Sequence, residues 1–470
     1  MVSHRIAGAP LDFAALRAEL EVPGDFASAV LADAGTAATE PSWIGCGYDD
    51  ATDVPFVTID PLGSRDLDQA VHIAAAADGY LVSYAIADVA AFVRPGAALD
   101  VESHARGETL YFPDSRVPLH PPSLSEGAAS LLPDQERRAV LWQIGLDATG
   151  VVTSVDVRRA RVRSRAQLDY VTVQNSLSDG SVPDAIALLE RVGTLRLAIA
   201  RARHAINLDL PEQQVTGDAQ RGWTLTARPH LPVESYNAEI SVLTGMCAAR
   251  LMLEAGHGIL RTVPPADHRA IAALHRAARA LGVPWADGAA PGDVLAALDP
   301  SNARHVALME HAGSLLRGAG YTVFDGAAPG QALHAGIGAP YAHVTAPLRR
   351  LVDRYGSEIC LAAQEKRPVP DWVHDALPAL PVTMGDADRR AHEVDRAVVD
   401  MTEAWLLRER VGEVFSASVI DADERAGTVV LDEPAVRARC TGHALRVGER
   451  MDVRLVAADV ATRTIRFERA

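Results

Sequence analysis

The chain has 470 residues, 48% hydrophobic and 23% charged, enough to bury a substantial core in more than one domain. Its formal net charge of -16 excludes a protein that coats nucleic acid or anionic membrane by bulk attraction, so any such binding must use a local basic channel. Four cysteines, Cys46, Cys247, Cys360 and Cys440, are too widely spaced for a CxxC pair and too few for a disulfide scaffold. No apolar run reaches the roughly 18 to 20 residues of a membrane span, and the N-terminus MVSHRIAGAPLDF lacks a signal-peptide core. A cytoplasmic protein with no membrane partner is the expectation.

The first elements in chain order are helical. Residues 11–34, LDFAALRAELEVPGDFASAVLADA, carry apolar residues at helical spacing on either side of VPGD and predict two short helices. Between Val54 and Val93 the pattern changes to strands, FVTID, AVHIAAA and YLVSYAIADVAAFV, with a turn at Gly79. A hairpin turning at DATG follows, and its second strand carries Arg158, Arg159, Arg161, Arg163 and Arg165. Helical spacing takes over at 192–203, 235–255, 266–281 and 301–317.

After Gly326 a loop leads into YAHVTAPLRRLVDRYGSEICLAAQ, where Pro347 suits a helix start and the spacing stays helical to Gln364. The proline-spaced linker KRPVPDWVHDALPALPV precedes an amphipathic helix over 384–410. Residues 411–470 then offer five short strands, which suit a small OB-type barrel. The expected fold class is α+β: a mixed β-sheet domain surrounded by helices, followed by a C-terminal OB-fold β-barrel. The expected divisions are a helical region at 1–50, a central domain at 51–408 and the barrel at 411–470.

The stretch FVTIDPLGSRDLDQAVHI places Asp60, Asp66 and Asp68 within nine positions. Carboxylates this close repel unless a positive charge sits among them, and a hard divalent cation such as Mg²⁺ or Mn²⁺ is the usual solution. Asp66 and Asp68 flank Leu67, so in an extended segment both point to one side while Leu67 points to the core. The spacing alone fits either a solvated acidic loop or a cation site; it does not fit an EF-hand, which needs Gly and Glu at other positions. Two more segments bear on the choice. HVTAPLRR puts Arg349 and Arg350 at the opening of a helix, where guanidinium forks and backbone N–H groups bind phosphate or pair with acids. ETLYFPDSRVPLHPPSLSEGAASLLP presents Tyr111 and Phe112, which either pack or offer a stacking face to a base.

In order, TIDPLGSRDLDQA, YAIADVAAFV, LYFPDSRVPLHPPSLSEGAASLLP and YAHVTAPLRRLVDR resemble the catalytic domain of the RNase II and RNase R family of exoribonucleases, over about residues 50–408. The resemblance implies metal-dependent hydrolysis of single-stranded RNA from its 3′ end to nucleoside 5′-monophosphates, with no organic cofactor. It implies that Asp60, Asp66 and Asp68 hold Mg²⁺ or Mn²⁺ and orient the attacking water, that Arg349 stabilises the scissile phosphate, and that Tyr111 stacks on the terminal nucleotide. Glu239 in NAEISVLTGMCAAR and Asp395 in EVDRAVVD match acidic positions near the 3′ end, with Asp395 standing for a Glu.

Two departures from the family pattern matter. Gln69 stands where the family's metal motif has a further aspartate, and its amide oxygen can ligate only without charge. Leu208 in INLDLPE stands where the family often has an aromatic clamp. These departures leave a catalytically silent RNA-binding homologue and a phosphodiesterase of short oligoribonucleotides as alternatives. The barrel, with Arg437, Arg439, Arg446, Arg450, Arg454, Arg463 and Arg466, resembles the family's RNA-binding module. Oligomeric state is not readable from these residues.

Overall fold

The computed structural model describes residues 11–39 and 47–470, apart from 211, 219–221, 229, 301, 424, 432 and 435. The signal-peptide reading of the first ten residues and Cys46 lie outside the described residues. Helices α1 (Ala14–Glu19) and α2 (Ser28–Thr39) precede strands β1 (Asp49–Asp60), β2 (Gln69–Ala76) and β3 (Gly79–Ala87). Helix α3 (Ala98–Arg106) and a minimal ribbon, β4 (Leu110–Tyr111) with β5 (Arg116–Val117), lead to the long hairpin β6 (Glu136–Asp147) and β7 (Val152–Asp169). The expected sheet closes on itself as a five-stranded barrel in the order β1-β2-β3-β6-β7. β7 runs parallel to β1, which sets Asp60 beside Asp169.

Strand alternation divides the barrel between two cores. Val82, Tyr84 and Ile86 of β3, with Val140, Trp142 and Ile144 of β6, face the main core. Ala85, Ala87, Ala139 and Leu141 face a second core that includes Val30, Ala34 and Ala37 of α2.

The middle of the chain runs through α4 (Tyr170–Asp179), α5 (Leu189–Ala202), the hairpin β8 (Glu212–Asp218) and β9 (Gly222–Arg228), and α6 (Pro232–Ala255). It continues as β10 (His257–Thr262), α7 (His268–Leu281), α8 (Pro291–Leu295), α9 (Ala303–Ala312), β11 (Gly320–Asp325), β12 (Leu333–His334) and β13 (Ala339–Pro340). Helices α10 (Leu351–Glu365), α11 (Asp371–Ala376) and α12 (Leu380–Leu407) complete this layer. Ile240, Leu243 and Ala248 of α6 and Val352, Tyr355 and Ile359 of α10 complete the main core against the barrel. Gly245 in α6 lets Tyr341 lie directly on the helix, because a Cβ there would stand 2.1 Å from the Tyr341 ring. Among the described residues no helix is long and apolar enough to cross a membrane.

Strands β14 (Val414–Ala422), β15 (Ala426–Leu431), β16 (Arg437–Thr441), β17 (Arg450–Asp459) and β18 (Thr464–Arg469) close a second barrel in the order β14-β15-β16-β18-β17, with β16 and β18 parallel. This is the OB-type barrel expected from the sequence. The N-terminal arm reaches it: Phe13 and Leu16 share a core with Trp223, Val394, Phe415 and Phe467, and Glu19 pairs with Arg463 at 2.6 Å.

The elements depart from expectation in four places. The third strand stops at Ala87, because Asp88 turns inward to accept hydrogen bonds from Tyr48 (2.6 Å) and Arg159 (2.9 Å). Helix α10 starts at Leu351, not at Pro347 or Leu348, because the preceding backbone is claimed by the side chains of Asp68, Gln69 and the helix's own Asp353. The linker after Gln364 contains α11, and the β8–β9 hairpin has too polar a sequence to announce itself.

Four of the five arginines of this strand are already paired with acids. Arg158 pairs with Asp49 (3.0 Å), Arg159 with Asp88 and Glu358, Arg161 with Asp50 and Glu136, and Arg163 with Glu136 (3.1 Å), while Arg165 donates to the Thr52 carbonyl (2.7 Å). Gly245→Ala should destabilise the chain by about 1 to 3 kcal/mol through overpacking against Tyr341, measured as a lower Tm at unchanged far-UV circular dichroism.

Candidate active site

The acidic segment between β1 and β2 is fastened from below. Leu67 is fully buried in the second core, and its N–H donates to Ser130 Oγ at 3.0 Å while its carbonyl accepts from Leu131 N–H at 3.0 Å. Ser130 Oγ in turn donates to the Arg65 carbonyl at 2.6 Å. With Leu67 anchored, Asp66 and Asp68 are thrown to the cleft side, as alternation requires.

Each carboxylate has its own partners. Asp66 accepts from Tyr111 Oη at 2.9 Å and from Arg116 Nη1 at 3.0 Å. Tyr111 and Arg116 stand directly opposite each other on the β4–β5 ribbon, so one ribbon grips one carboxylate with both strands. Asp68, 1% exposed, accepts from Leu348 N–H at 2.7 Å and Arg349 Nε at 3.1 Å. Asp60 ends β1 with its Oδ2 buried and without a hydrogen-bond partner. Burial pushes the Asp60 carboxyl up to about 7, with Arg349 opposing and Asp66 adding to the rise. Burial likewise raises Asp68 to about 7, against the pull of Arg349 and the Leu348 N–H.

The segment carrying Arg349 is held at several points. Gln69 Nε2 donates to the Thr345 carbonyl at 2.5 Å, Asp353 Oδ1 accepts from Ala346 N–H at 2.7 Å, and Thr109 N–H donates to the Arg349 carbonyl at 2.9 Å. Arg349 leaves its side chain half exposed, whereas Arg350 turns inward to the fully buried Asp353 in a two-point pair of 2.5 and 2.9 Å. Gln69, Tyr111, Thr345, Arg349 and Arg350 line a cleft of about 480 Å³ with Glu108, Tyr170, Asn237 and Ser241, and Asp66 and Asp68 sit behind Tyr111 and Arg349 of its wall. An adjoining cleft of about 650 Å³, reached along the shared Tyr170, Glu234, Ala238 and Val242, holds Glu239 and Arg203.

The structure therefore brings Asp60, Asp66, Asp68, Gln69, Tyr111 and Arg349 together from segments nearly 300 residues apart. Arg350 lines the same cleft, but its guanidinium is committed to Asp353. Glu239 lies in the adjoining cleft, buried, with Oε2 unpartnered. Asp395 is exposed on α12, one turn beyond Ala391 of the cleft wall. Leu208 packs against the α7–α9 cluster and is not among the residues lining either cleft. Sequence reasoning missed Arg116, Ser130 and Asp353. The first two lie inside the proline-rich segment and the third inside LRRLVDR, with no spacing signal to single them out.

A hard cation fits this site by charge and by the orphaned Asp60 oxygen, rather than by a finished cage. Among the described residues no three His, Cys, Asp or Glu side chains already stand at metal-ligand spacing, since Asp66 is turned to Arg116 and Asp68 to Arg349.

Comparison with known proteins places this architecture. Residues 48–361 match the RNB domain, and residues 413–470 match the RNase II-type exonuclease C-terminal S1 domain. The chain belongs to this RNase II-type, RNB-domain family. It is 28% identical over 409 residues to Ribonuclease R of Vibrio cholerae, covering 79% of this chain and 48% of that protein. It is 26% identical over 486 residues to Ribonuclease R of Escherichia coli, covering 92% and 59%. Exoribonuclease 2 of Edwardsiella piscicida is 28% identical over 397 residues, covering 80% and 60%. The chain thus spans about half to three fifths of the length of the curated relatives it matches. Its fold superposes on Mycoplasma genitalium RNase R, solved in complex with ribose-methylated single-stranded RNA, with a TM-score of 0.86 at 19% identity, covering 97% of this chain and 77% of the other. It also resembles yeast Ssd1, described as a pseudonuclease, with a TM-score of 0.71 at 18% identity, covering 86% and 51%.

Two expectations follow from this geometry. Asp353→Ala strands a buried guanidinium at Arg350 and should cost about 3 to 5 kcal/mol, read by denaturant unfolding. The second concerns pH. Folded Asp60 and Asp68 hold protons up to about pH 7, whereas unfolded carboxyls lose theirs near pH 4, so the folded state binds more protons between these limits. Stability of the cation-free protein is therefore fully present below about pH 4 and declines as pH rises through about 7. Glu108 and Glu403, also raised to about 7 by burial, act with the same sign. Tm in chelator should be lower at about pH 8 than at about pH 5.5.

Proposed function

We propose that this chain is a divalent-metal-dependent exoribonuclease that removes nucleoside 5′-monophosphates from the 3′ end of single-stranded RNA. The observation that carries the reading is the convergence of Asp60, Asp66 and Asp68 on a half-exposed guanidinium, Arg349, and a half-exposed ring, Tyr111, which both line one cleft. Asp60, Asp66 and Asp68 are the residues to hold Mg²⁺ or Mn²⁺, which supplies Lewis acidity toward the phosphate and its attacking water.

The protein's own contributions are positional and electrostatic. Arg349 spends Nε on Asp68 and directs its remaining fork at the cleft, where a guanidinium matches phosphate oxygens and offsets charge that develops on them. Tyr111 is fixed through its hydroxyl to Asp66, so its ring meets an incoming base in one orientation, and stacking there is insensitive to base identity. Glu239 and Asp395 serve as acceptors for ribose 2′-hydroxyls in the adjoining cleft and on α12, which favours RNA over DNA. Arg350 acts through Asp353, holding the segment that presents Arg349. The 411–470 barrel contributes basic surface to the path of the strand, whereas Leu208, packed in the α7–α9 cluster, supplies no clamp. The buried free thiols of Cys247, Cys360 and Cys440 suit the cytoplasm.

Two observations favour narrower readings. Gln69 supplies an uncharged amide beside the carboxylates, which favours a silent RNA-binding homologue. The paired arginines of β7 favour short oligoribonucleotides over long strands.

The deciding assay incubates 5′-labelled oligo(A), and a dinucleotide in parallel, with the protein and either Mg²⁺ or Mn²⁺. Free 5′-AMP and a short labelled limit product are the expected result, and Mn²⁺ should raise Tm more at about pH 8 than at about pH 5.5, where Asp60 and Asp68 are protonated. Binding without turnover in both metals would establish the silent homologue, and cleavage of the dinucleotide alone would establish the short-substrate reading.

A further inference from the structure

The residue that departs from the acidic pattern has a definite partner. Gln69 opens β2 and reaches the Thr345 carbonyl at 2.5 Å, so the atom facing that oxygen is the amide nitrogen, the one side-chain atom of Gln that donates. A carboxylate in this place offers acceptors only and would meet the carbonyl oxygen without a proton between them.

The neighbouring residue grips the same segment three residues further on. Asp68 takes the Leu348 N–H at 2.7 Å. Two adjacent side chains thus reach one short segment at Thr345 and Leu348. That segment contributes Thr345, Ala346, Arg349 and Arg350 to the cleft wall.

We propose that Gln69 is a positioning residue, a neutral tie that holds the Thr345–Arg349 segment to the barrel so that Arg349 is aimed into the cleft without a cation at position 69. What Arg349 is aimed at rests on the exoribonuclease reading; the tie itself does not. In this arrangement Gln69 acts on substrate through Arg349 and not as a fourth metal ligand. The chain keeps its phosphate-facing arginine ordered before any metal arrives.

The test uses the full chain with Gln69→Glu, which keeps the length but only accepts, and Gln69→Met, which keeps the length and does neither. In chelator at about pH 8, each should lower Tm by about 2 to 5 °C, from one lost hydrogen bond and a stranded carbonyl. Fluorescence anisotropy with oligo(A) in chelator should show each variant about tenfold weaker, as Arg349→Gln is. The double variant, Gln69→Met with Arg349→Gln, should fall no further than Arg349→Gln alone, because both changes remove one function. A Tm equal to wild type for both single variants, or losses in RNA affinity that add in the double variant, would overturn the tie. Absence of RNA cleavage by the wild-type protein would sink the nuclease reading alone, since the melting and binding results do not depend on turnover.

Discussion

The carboxylate of Asp68 joins the first barrel to the segment that leads into α10. It leaves the barrel beside β2 and ends on the Leu348 N–H and the Arg349 guanidinium, a contact across 280 residues of chain. A buried carboxylate is tolerated only when hydrogen-bonded and paired, so its two partners must arrive together with the helix that follows them. Placement of α10 on the barrel, presentation of Arg349 and one wall of the cleft therefore share one anchor.

Neighbouring residues of like chemistry are given unlike work by burial. Arg349 and Arg350 are adjacent, yet one is half exposed at the cleft and the other is sealed against Asp353. Asp66 and Asp68 are two apart, yet one is held by a ribbon and the other by a backbone N–H and an arginine. Arg349 at the cleft is backed by the buried Asp68, which fixes where it points and preorganises the site at the expense of desolvating an ionisable group.

Much of this was visible in the sequence because it depends on short-range pattern. The alternation of Asp66, Leu67 and Asp68 foretold which side chains share a face, and Leu67 is indeed buried between them. The five C-terminal strands were likewise marked by period and turns. What stayed hidden depends on distant partners. Closure of the first barrel rests on β7 returning parallel to β1. The end of β3 is set by Arg159 and Tyr48 reaching Asp88, and the late start of α10 by Gln69, Asp68 and Asp353 occupying the backbone before it. Arg116 could not be distinguished from any exposed arginine until the ribbon set it opposite Tyr111.

The arginine strand shows where part of the molecule's positive charge is spent. Its guanidinium groups are spent on Asp49, Asp50, Asp88, Glu136 and Glu358, and the chain around them is acidic. Long-range attraction of a polyanion grows with net positive potential, and a strand whose guanidinium groups are mostly paired in an acidic chain offers little of it. On the proposed reading, a strand end is met by contact at the cleft rather than by attraction from a distance, and the grip on it depends on the few charges that the cleft wall itself exposes.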